Sequence, residues 1–341
     1  MEKVRVAING FGRIGRTFYR LVEDRDDIEV VAVNDLMDLD TLVYLLKYDT
    51  AYGVQDYEIT HDDHSFTIDG ETTKYFSERN PADLPWSEHD IDVVVESTGF
   101  FTEYEKASAH LEAGAKHVVI SAPAKGDPVE GVGGATALVG INDGEVLANN
   151  RISSNASCTT NAGGSVIKVL HDSIGIEKAM LNTVHAYTST QSLVDSPNKK
   201  QRRGRAAAQN IVPSSTGAAI ATTKVITDLE GKFDGIALRV PVIVGSIADI
   251  TFVASRGTSV EEVNEILTSA SNESHWAGIF AVSNDEIVSS DIIGRTEAAI
   301  VDLTMTRVVD GNLVKVMSWY DNETSYTGTL VEHVLRAAKN L

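Results

Sequence analysis

The sequence predicts an α/β chain of two domains: a parallel-sheet domain, then an α+β domain with a mixed, largely antiparallel sheet. Three observations carry this expectation. The chain has 341 residues, about two domains at roughly 150 residues each. Through the first half, short β-rich runs alternate with helical periods, the rhythm of a parallel sheet joined by right-handed crossovers. After about Arg151, longer β-rich runs follow one another with few helices between them, which suits antiparallel pairing.

Val4 to Ile8 is a strand, Ile14 to Glu23 a helix and Glu29 to Val33 a second strand. Beyond Asp38, Leu39 to Tyr48 reads as a helix. Tyr57 to Thr60 and Ser65 to Ile68 are shorter β-like runs, and Ile91 to Val95 is a buried apolar one. Thr102 with Glu105 forms a capping signal for a helix running to Ala113, before a strand at His117 to Ser121. In the second half a helix from near Cys158 to Ser173 precedes β-rich runs at Lys178 to Thr188, Gly235 to Val240, Ile247 to Ala254 and Asn312 to Tyr320. Asn322 to Asn340 is an amphipathic helix, and Gly126 to Gly134 is a glycine-rich surface loop.

Composition narrows the function. With 29 Lys and Arg against 49 Asp and Glu, the net charge is −20, which repels nucleic acid phosphates and makes nucleic-acid binding an improbable main task. The surplus fits ordinary solubility as well as a salty cytoplasm. A single cysteine forbids an intrachain disulfide and gives no reason to expect an oxidising compartment. The start MEKVRVAING has no signal-peptide pattern, and Arg239 and Asp249 interrupt the best apolar candidate for a membrane span. The expectation is a cytoplasmic protein that binds no membrane and no metal.

Gly10-Phe11-Gly12-Arg13-Ile14-Gly15 fits G-x-G-x-x-G directly after a strand and at the start of a helix. The three glycines serve a tight turn, close backbone approach to a pyrophosphate, and close helix-to-strand contact. The helix N-terminus offers N–H groups and a positive dipole to the phosphates. Asp35 follows Gly15 by 20 residues, at the end of the next strand, where a carboxylate accepts hydrogen bonds from a ribose hydroxyl. The expectation is a Rossmann-type cofactor domain. A carboxylate at that place favours NAD over NADP.

Cys158 lies in SSNASCTTN, a run of small polar residues leading into a helix. A core cysteine would have apolar neighbours, whereas a helix N-terminus lowers a thiol's pKa and makes it a nucleophile. His185 ends a strand 27 residues on. Alone it reads as structural; beside a dinucleotide site and a candidate thiol it points to covalent catalysis.

These residues belong to a wider set: INGFGRIGR from residue 8, Asn34-Asp35, ESTG from 96, SNASCTTN from 154, HAYT from 185, PSSTGAA from 213, RVP from 239 and WYDNE from 319. In this order the chain resembles phosphorylating glyceraldehyde-3-phosphate dehydrogenases along nearly its whole length. The resemblance implies a homotetramer of two-domain subunits. Residues 1–157 would form the NAD-binding domain, with the C-terminal helix 322–341 packing back on it, and residues 158–321 the catalytic domain. It also implies the substrates D-glyceraldehyde 3-phosphate and inorganic phosphate, and the product 1,3-bisphosphoglycerate.

Carried over, the resemblance makes Cys158 the nucleophile and His185 the base that holds the thiolate as an ion pair. Thr188 and Arg239 match the site of the substrate's phosphate. Ser157, Thr216 and Arg203 match that of the attacking phosphate, with Thr159 and Gly217 beside them. Arg13, Ile14, Thr98 and Ser121 border the cofactor, Asn322 fixes the nicotinamide amide, and Tyr326 lies against the ring. Lys199, Lys200 and Arg205 read as a solvated loop.

Four residues, at three places, depart from the family pattern. Ala162 replaces a common second cysteine, Thr324-Ser325 replaces a dipeptide ending in glycine, and Ser196 stands at a place often leucine, which leaves room for NADP. Erythrose-4-phosphate dehydrogenase and a non-catalytic NAD-binding redox sensor are the rival readings. The intact HAYT and STG segments speak against the first, and Thr188, Thr216 and Arg239 together against the second.

Overall fold

The protein is described by a computed structural model over residues 3–341. The chain divides into two compact units, one running to Ala156 and resuming at Leu330–Leu341, the other spanning Ser157–Thr329. Ser157 and the first turns of the C-terminal helix therefore fall in the second unit.

The first unit is built on β1 (Val4–Asn9), α1 (Arg13–Val22), β2 (Ile28–Asn34) and α2 (Leu39–Lys47), followed by the small hairpin β3 (Tyr48–Asp49) and β4 (Gly53–Val54). Then come β5 (Ile59–His61), β6 (Ser65–Ile68), β7 (Glu71–Phe76), β8 (Val93–Glu96), α3 (Tyr104–Ala107), α4 (Ala109–Glu112), β9 (His117–Ile120), β10 (Ala135–Thr136), α5 (Asp143–Asn149) and β11 (Ile152–Ser154). Nine strands form one sheet in the order β10-β11-β9-β8-β1-β2-β7-β6-β5. The pairs from β10 to β7 are parallel, and β6 and β5 add an antiparallel edge. Buried Val and Ile residues fill β1, β8 and β9, as strands covered on both faces require.

Local chemistry sets these elements. Asp38 caps α2, its carboxylate accepting from Thr41 N at 2.8 Å, as the sequence suggests. The Thr102 cap does not form. Glu103 occupies the N-cap of α3, and the expected single helix is split at Ser108, whose hydroxyl donates to the Glu105 carbonyl. Competition of that hydroxyl for a helix carbonyl is the physical reason for the split. β7 escapes the sequence reading because ETTKYF buries only Thr73 fully and shows little hydrophobic alternation.

The second unit holds α6 (Cys158–Ile174), β12 (Ile176–Ala186), β13 (Val212–Ser215), α7 (Ala218–Thr223), β14 (Phe233–Val240), β15 (Ser246–Ala254), α8 (Val260–Ser271), β16 (Phe280–Ser283), β17 (Ala299–Asp302), β18 (Arg307–Val309) and β19 (Leu313–Tyr320). Its sheet runs β13-β14-β12-β15-β19-β17-β16, with β18 on β19. Only β12 with β14 and β16 with β17 pair in parallel, so the sheet is mixed. Helix α9 (Thr324–Ala338) begins in this unit and ends in the first. There Leu330, Val331, Val334 and Ala337 join the core of Val6, Ile8 and Phe18.

Candidate functional site

At the end of β1 the chain turns through Gly10, whose φ is +98°. A Cβ there would meet Thr98 N at 2.7 Å, and one on Gly15 would meet the Gly10 carbonyl oxygen at 2.2 Å. Both sites exclude any side chain. Gly12 faces nothing within 4 Å, leaving its backbone open to a ligand. Phe11 between them is buried, packing edge-on against Tyr19 at 5.8 Å and beside Phe66 at 6.0 Å. Asp35 accepts from Phe11 N at 2.7 Å and from Met37 N at 3.0 Å, so its carboxylate braces the turn as well as facing the cleft. A cavity of about 450 Å³ opens over Gly10, Gly12, Asp35, Leu36, Arg79 and Thr98. Open backbone at Gly12 with a carboxylate at the far wall suits a dinucleotide.

The other cofactor candidates of this unit sit nearby in different states. Ile14 packs on the core. The Arg13 guanidinium is engaged with Asp49, both N–O distances being 3.2 Å, and lies over the Tyr52 ring. Burial raises the Asp49 carboxyl, but Arg20, the Ala51 N–H and Arg13 outweigh it and hold the group at about 2. Ser121 N donates to the Glu96 carbonyl. Thr98 donates both its N–H, at 2.9 Å, and its hydroxyl to Glu96 Oε1. The other Glu96 oxygen faces His110 Nε2 at 3.1 Å, while Trp86 Nε1–H donates to His110 Nδ1 at 3.0 Å. Since Nδ1 accepts, Nε2 carries the proton and donates to Glu96. This buried support of Thr98 is missed by sequence reasoning. Glu96 within ESTG is its one sequence signal.

In the second unit, Cys158 is the first residue of α6 and Ser157 its N-cap, the Ser157 hydroxyl accepting from Thr160 N at 3.1 Å. Cys158 Sγ stands 3.3 Å from His185 Nε2. His185 ends the buried face of β12, and Arg239 is its register partner on β14. Arg239 Nη1 lies 2.8 Å from His185 Nδ1 and donates to the Ala186 carbonyl at 3.0 Å. Burial pushes the Cys158 thiol up, against Arg239 and the Thr159 contact. Burial drives His185 down to about 3, and the Arg239 charge adds to it. Neither charged form is stable alone here, yet proton transfer from sulfur to Nε2 leaves the net charge unchanged. At the 3.3 Å separation the attraction of the resulting pair is about 5 kcal/mol for an effective dielectric near 20. The two groups therefore titrate as one unit.

The anion-site candidates form two connected groups. Thr188 pairs with Thr190 at 2.8 Å, and Arg203 donates to Thr190 Oγ1 at 3.1 Å and to Ser214 Oγ at 2.9 Å. The Arg203 charge is felt at both His185 and Arg239. Thr216 Oγ1 accepts from Ala218 N at 3.2 Å, with Gly217 as the N-cap of α7. Thr159 is turned to Tyr320, hydroxyl to hydroxyl at 2.8 Å, so its side chain supports the site from below. Tyr320 also meets Thr183 at 2.7 Å and sets its ring edge-on to His185. Both are missed by sequence reasoning, although Thr183 shares a strand face with His185 and Tyr320 lies within WYDNE. Asn322 Oδ1 accepts from Gly245 N at 3.0 Å and Ser246 Oγ at 3.1 Å, which fixes its amide. Tyr326 is buried in the first turns of α9. Lys200 reaches Ser215 and Arg205 pairs with exposed Asp195.

A parallel-sheet unit with a dinucleotide turn, in one chain with a thiol on an imidazole and clustered cations, defines a nicotinamide-dependent dehydrogenase that works through a covalent thioester. Two family models match it: the glyceraldehyde 3-phosphate dehydrogenase NAD binding domain over residues 4–104 and the C-terminal domain of the same enzyme over residues 157–322. Glyceraldehyde-3-phosphate dehydrogenase of Streptomyces coelicolor is 47% identical over 331 residues, covering 96% of this chain and 97% of its own. Glyceraldehyde-3-phosphate dehydrogenase 2 of Streptomyces avermitilis matches to the same extent. The chain belongs to the glyceraldehyde 3-phosphate dehydrogenase family. Among the described residues no helix is long and apolar enough to cross a membrane.

Proposed function

We propose that this protein oxidises D-glyceraldehyde 3-phosphate to 1,3-bisphosphoglycerate, with NAD as hydride acceptor and inorganic phosphate as second substrate. The observation that carries the reading is Cys158 Sγ at 3.3 Å from His185 Nε2, at a helix N-terminus and beside Arg239. The Cys158 thiolate attacks the aldehyde carbon to give a thiohemiacetal, its oxyanion taking a proton. NAD, when bound, supplies hydride acceptance at the nicotinamide. His185 takes the hydroxyl proton as hydride leaves, and a thioester remains on Cys158. Phosphate then attacks the thioester carbonyl, the C–S bond breaks, and the thiolate leaves. A thioester keeps the acyl group activated, which an oxygen ester would not.

Thr188 and Arg239 would hold the substrate's phosphate, and Ser157, Thr216, Gly217 and Arg203 the attacking one. Charge-assisted contacts from Arg suit both. Gly10, Gly12, Arg13, Ile14, Gly15, Asp35, Thr98 and Ser121 would hold the dinucleotide, with Asn322 and Tyr326 at its nicotinamide. On this reading residues 1–157 with 322–341 are the cofactor domain and 158–321 the catalytic domain, in a cytoplasmic homotetramer. Exposed Met180, Ile220 and Leu313, with half-buried Val253, line one groove of about 670 Å³ on the second unit, an apolar surface that supports association. Absorbance at the NADH band tests the activity. Reduction should require glyceraldehyde 3-phosphate, NAD and phosphate together, and preference for erythrose 4-phosphate or absence of turnover would overturn the reading.

A further inference from the structure

A buried polar chain, outside every role assigned above, runs through the first unit. His117 Nε2 on β9 lies 2.8 Å from Ser153 Oγ on β11, Ser153 Oγ lies 2.7 Å from His333 Nε2 on α9, and His333 Nδ1 lies 3.1 Å from Asn155 Oδ1. All four residues are at most 2% exposed. The amide oxygen of Asn155 only accepts, so His333 Nδ1 carries the proton and Nε2 is the acceptor. Ser153 therefore donates to His333, and His117 Nε2–H donates to Ser153. Each link has one direction, and both rings are neutral, as burial requires.

The chain ends where the backbone is forced. Ala156 follows Asn155 and is buried with φ +54°, a left-handed conformation on a residue with a Cβ. Such a conformation persists only where neighbours determine it. Its N–H donates to Ser154 Oγ at 3.0 Å, and Asn155 N donates to the Ile120 carbonyl at 3.0 Å. These bonds fix the backbone, while His333 takes the Asn155 side chain. Two residues beyond Ala156 is Cys158.

We propose that His333 is a positioning residue for Cys158: through Ser153 and Asn155 it holds the left-handed turn at Ala156 that delivers the thiol to the start of α6. The proposal rests on the reading of Cys158 as the nucleophile. His333 touches no reacting atom and acts only through the segment it grips.

The test is the rate of Cys158 alkylation by iodoacetamide, which reports this single thiol without any turnover, together with steady-state kinetics. His333→Leu should lower both the alkylation rate and kcat by about tenfold or more, as displacement of a reacting group does, with the NAD KM within about twofold of wild type. Adding Ala156→Gly, which makes the turn free of Cβ strain, should restore at least part of both rates without restoring the melting temperature. If His333→Leu does not fold, Ser153→Ala, which removes the bonds of Ser153 to both His117 and His333 but leaves the His333–Asn155 bond, should give the same pattern at smaller amplitude. The proposal is overturned if the folded variant alkylates and turns over at wild-type rates, or if Ala156→Gly rescues neither rate. Turnover retained by Cys158→Ser would instead overturn the reading on which it rests.

Discussion

Arg239 and His185 face each other across the parallel pair β12 and β14, with Arg239 Nη1 2.8 Å from His185 Nδ1. The guanidinium thus borders the base, and its charge stabilises the Cys158 thiolate while opposing an isolated imidazolium. Arg239→Leu should raise the KM for the phosphorylated aldehyde and lower kcat. Thr216→Ala should mainly raise the KM for inorganic phosphate, by the roughly 1 kcal/mol of a hydrogen bond. Steady-state kinetics with each substrate varied in turn separates them, and equal damage to both ligands by both variants would defeat the assignment.

Gly15 sits so close to β1 that its missing Cβ is the contact. Gly15→Ala forces an atom to 2.2 Å from the Gly10 carbonyl oxygen. The turn must open, and NAD affinity should fall at least tenfold, about 1.4 kcal/mol. Gly12→Ala meets no protein atom within 4 Å, so it should fold at wild-type stability and lose affinity through the ligand alone. Calorimetric titration with NAD and thermal melting distinguish the two; a stable Gly15→Ala that binds normally would contradict this account of the turn.

Asp35 braces Phe11 N and lines the cavity over the glycine turn, where on the proposed reading it would meet the adenosine ribose. Asp35→Ala should raise the NAD KM by an amount worth about 1.5 to 3 kcal/mol and narrow the preference over NADP, since the repulsion of a 2′-phosphate is removed. Asp35→Asn keeps an acceptor for Phe11 and should narrow the preference with less loss for NAD. Initial rates with both cofactors measure this, and an unchanged NAD:NADP ratio in both variants would sink it.

Two buried histidines outside the Cys158–His185 pair make the fold acid-sensitive. His117 is pushed down to about 4 and His333 to about 3 by burial, below the ordinary 6.5. The unfolded chain then binds more protons, so stability is constant above about pH 6.5 and falls as pH drops towards 4. At pH 5 each histidine costs about 2 kcal/mol relative to pH 7. Denaturant titrations at pH 7 and pH 5 should show the loss, and His333→Leu should show less of it than wild type. A midpoint independent of pH over this range would contradict the burial argument.

Most of the fold was legible because its signals are local. The fingerprint names its own turn, Asp38 caps α2 as its position suggests, and the change from alternating to successive strands near Arg151 marks a second sheet. The Thr102 cap failed because Thr102 and Glu103 pair with Lys125 in a backbone bridge, which puts the helix start at Tyr104. β7 was invisible because it pairs through backbone while showing a polar face. Among the site residues, Cys158 and His185 could be named from type and position, whereas their separation depends on β12 register, which no local pattern encodes. Tyr320, Glu96 with His110, and the His117 to His333 chain join residues distant in sequence, so only folding reveals them.

The pairing of Cys158 with His185 is tested most directly by the pH dependence of iodoacetamide alkylation, since Cys158 is the only cysteine. Burial opposes a lone thiolate, but the shared proton and Arg239 offset it, so the native protein should show a reactive step below the free-thiol value of about 8.5. His185→Asn removes the proton acceptor and leaves burial unopposed on that side; its step should move above that of the native protein, with turnover largely lost. A native curve that coincides with a free thiol, or a His185→Asn curve that coincides with the native one, would contradict the pairing.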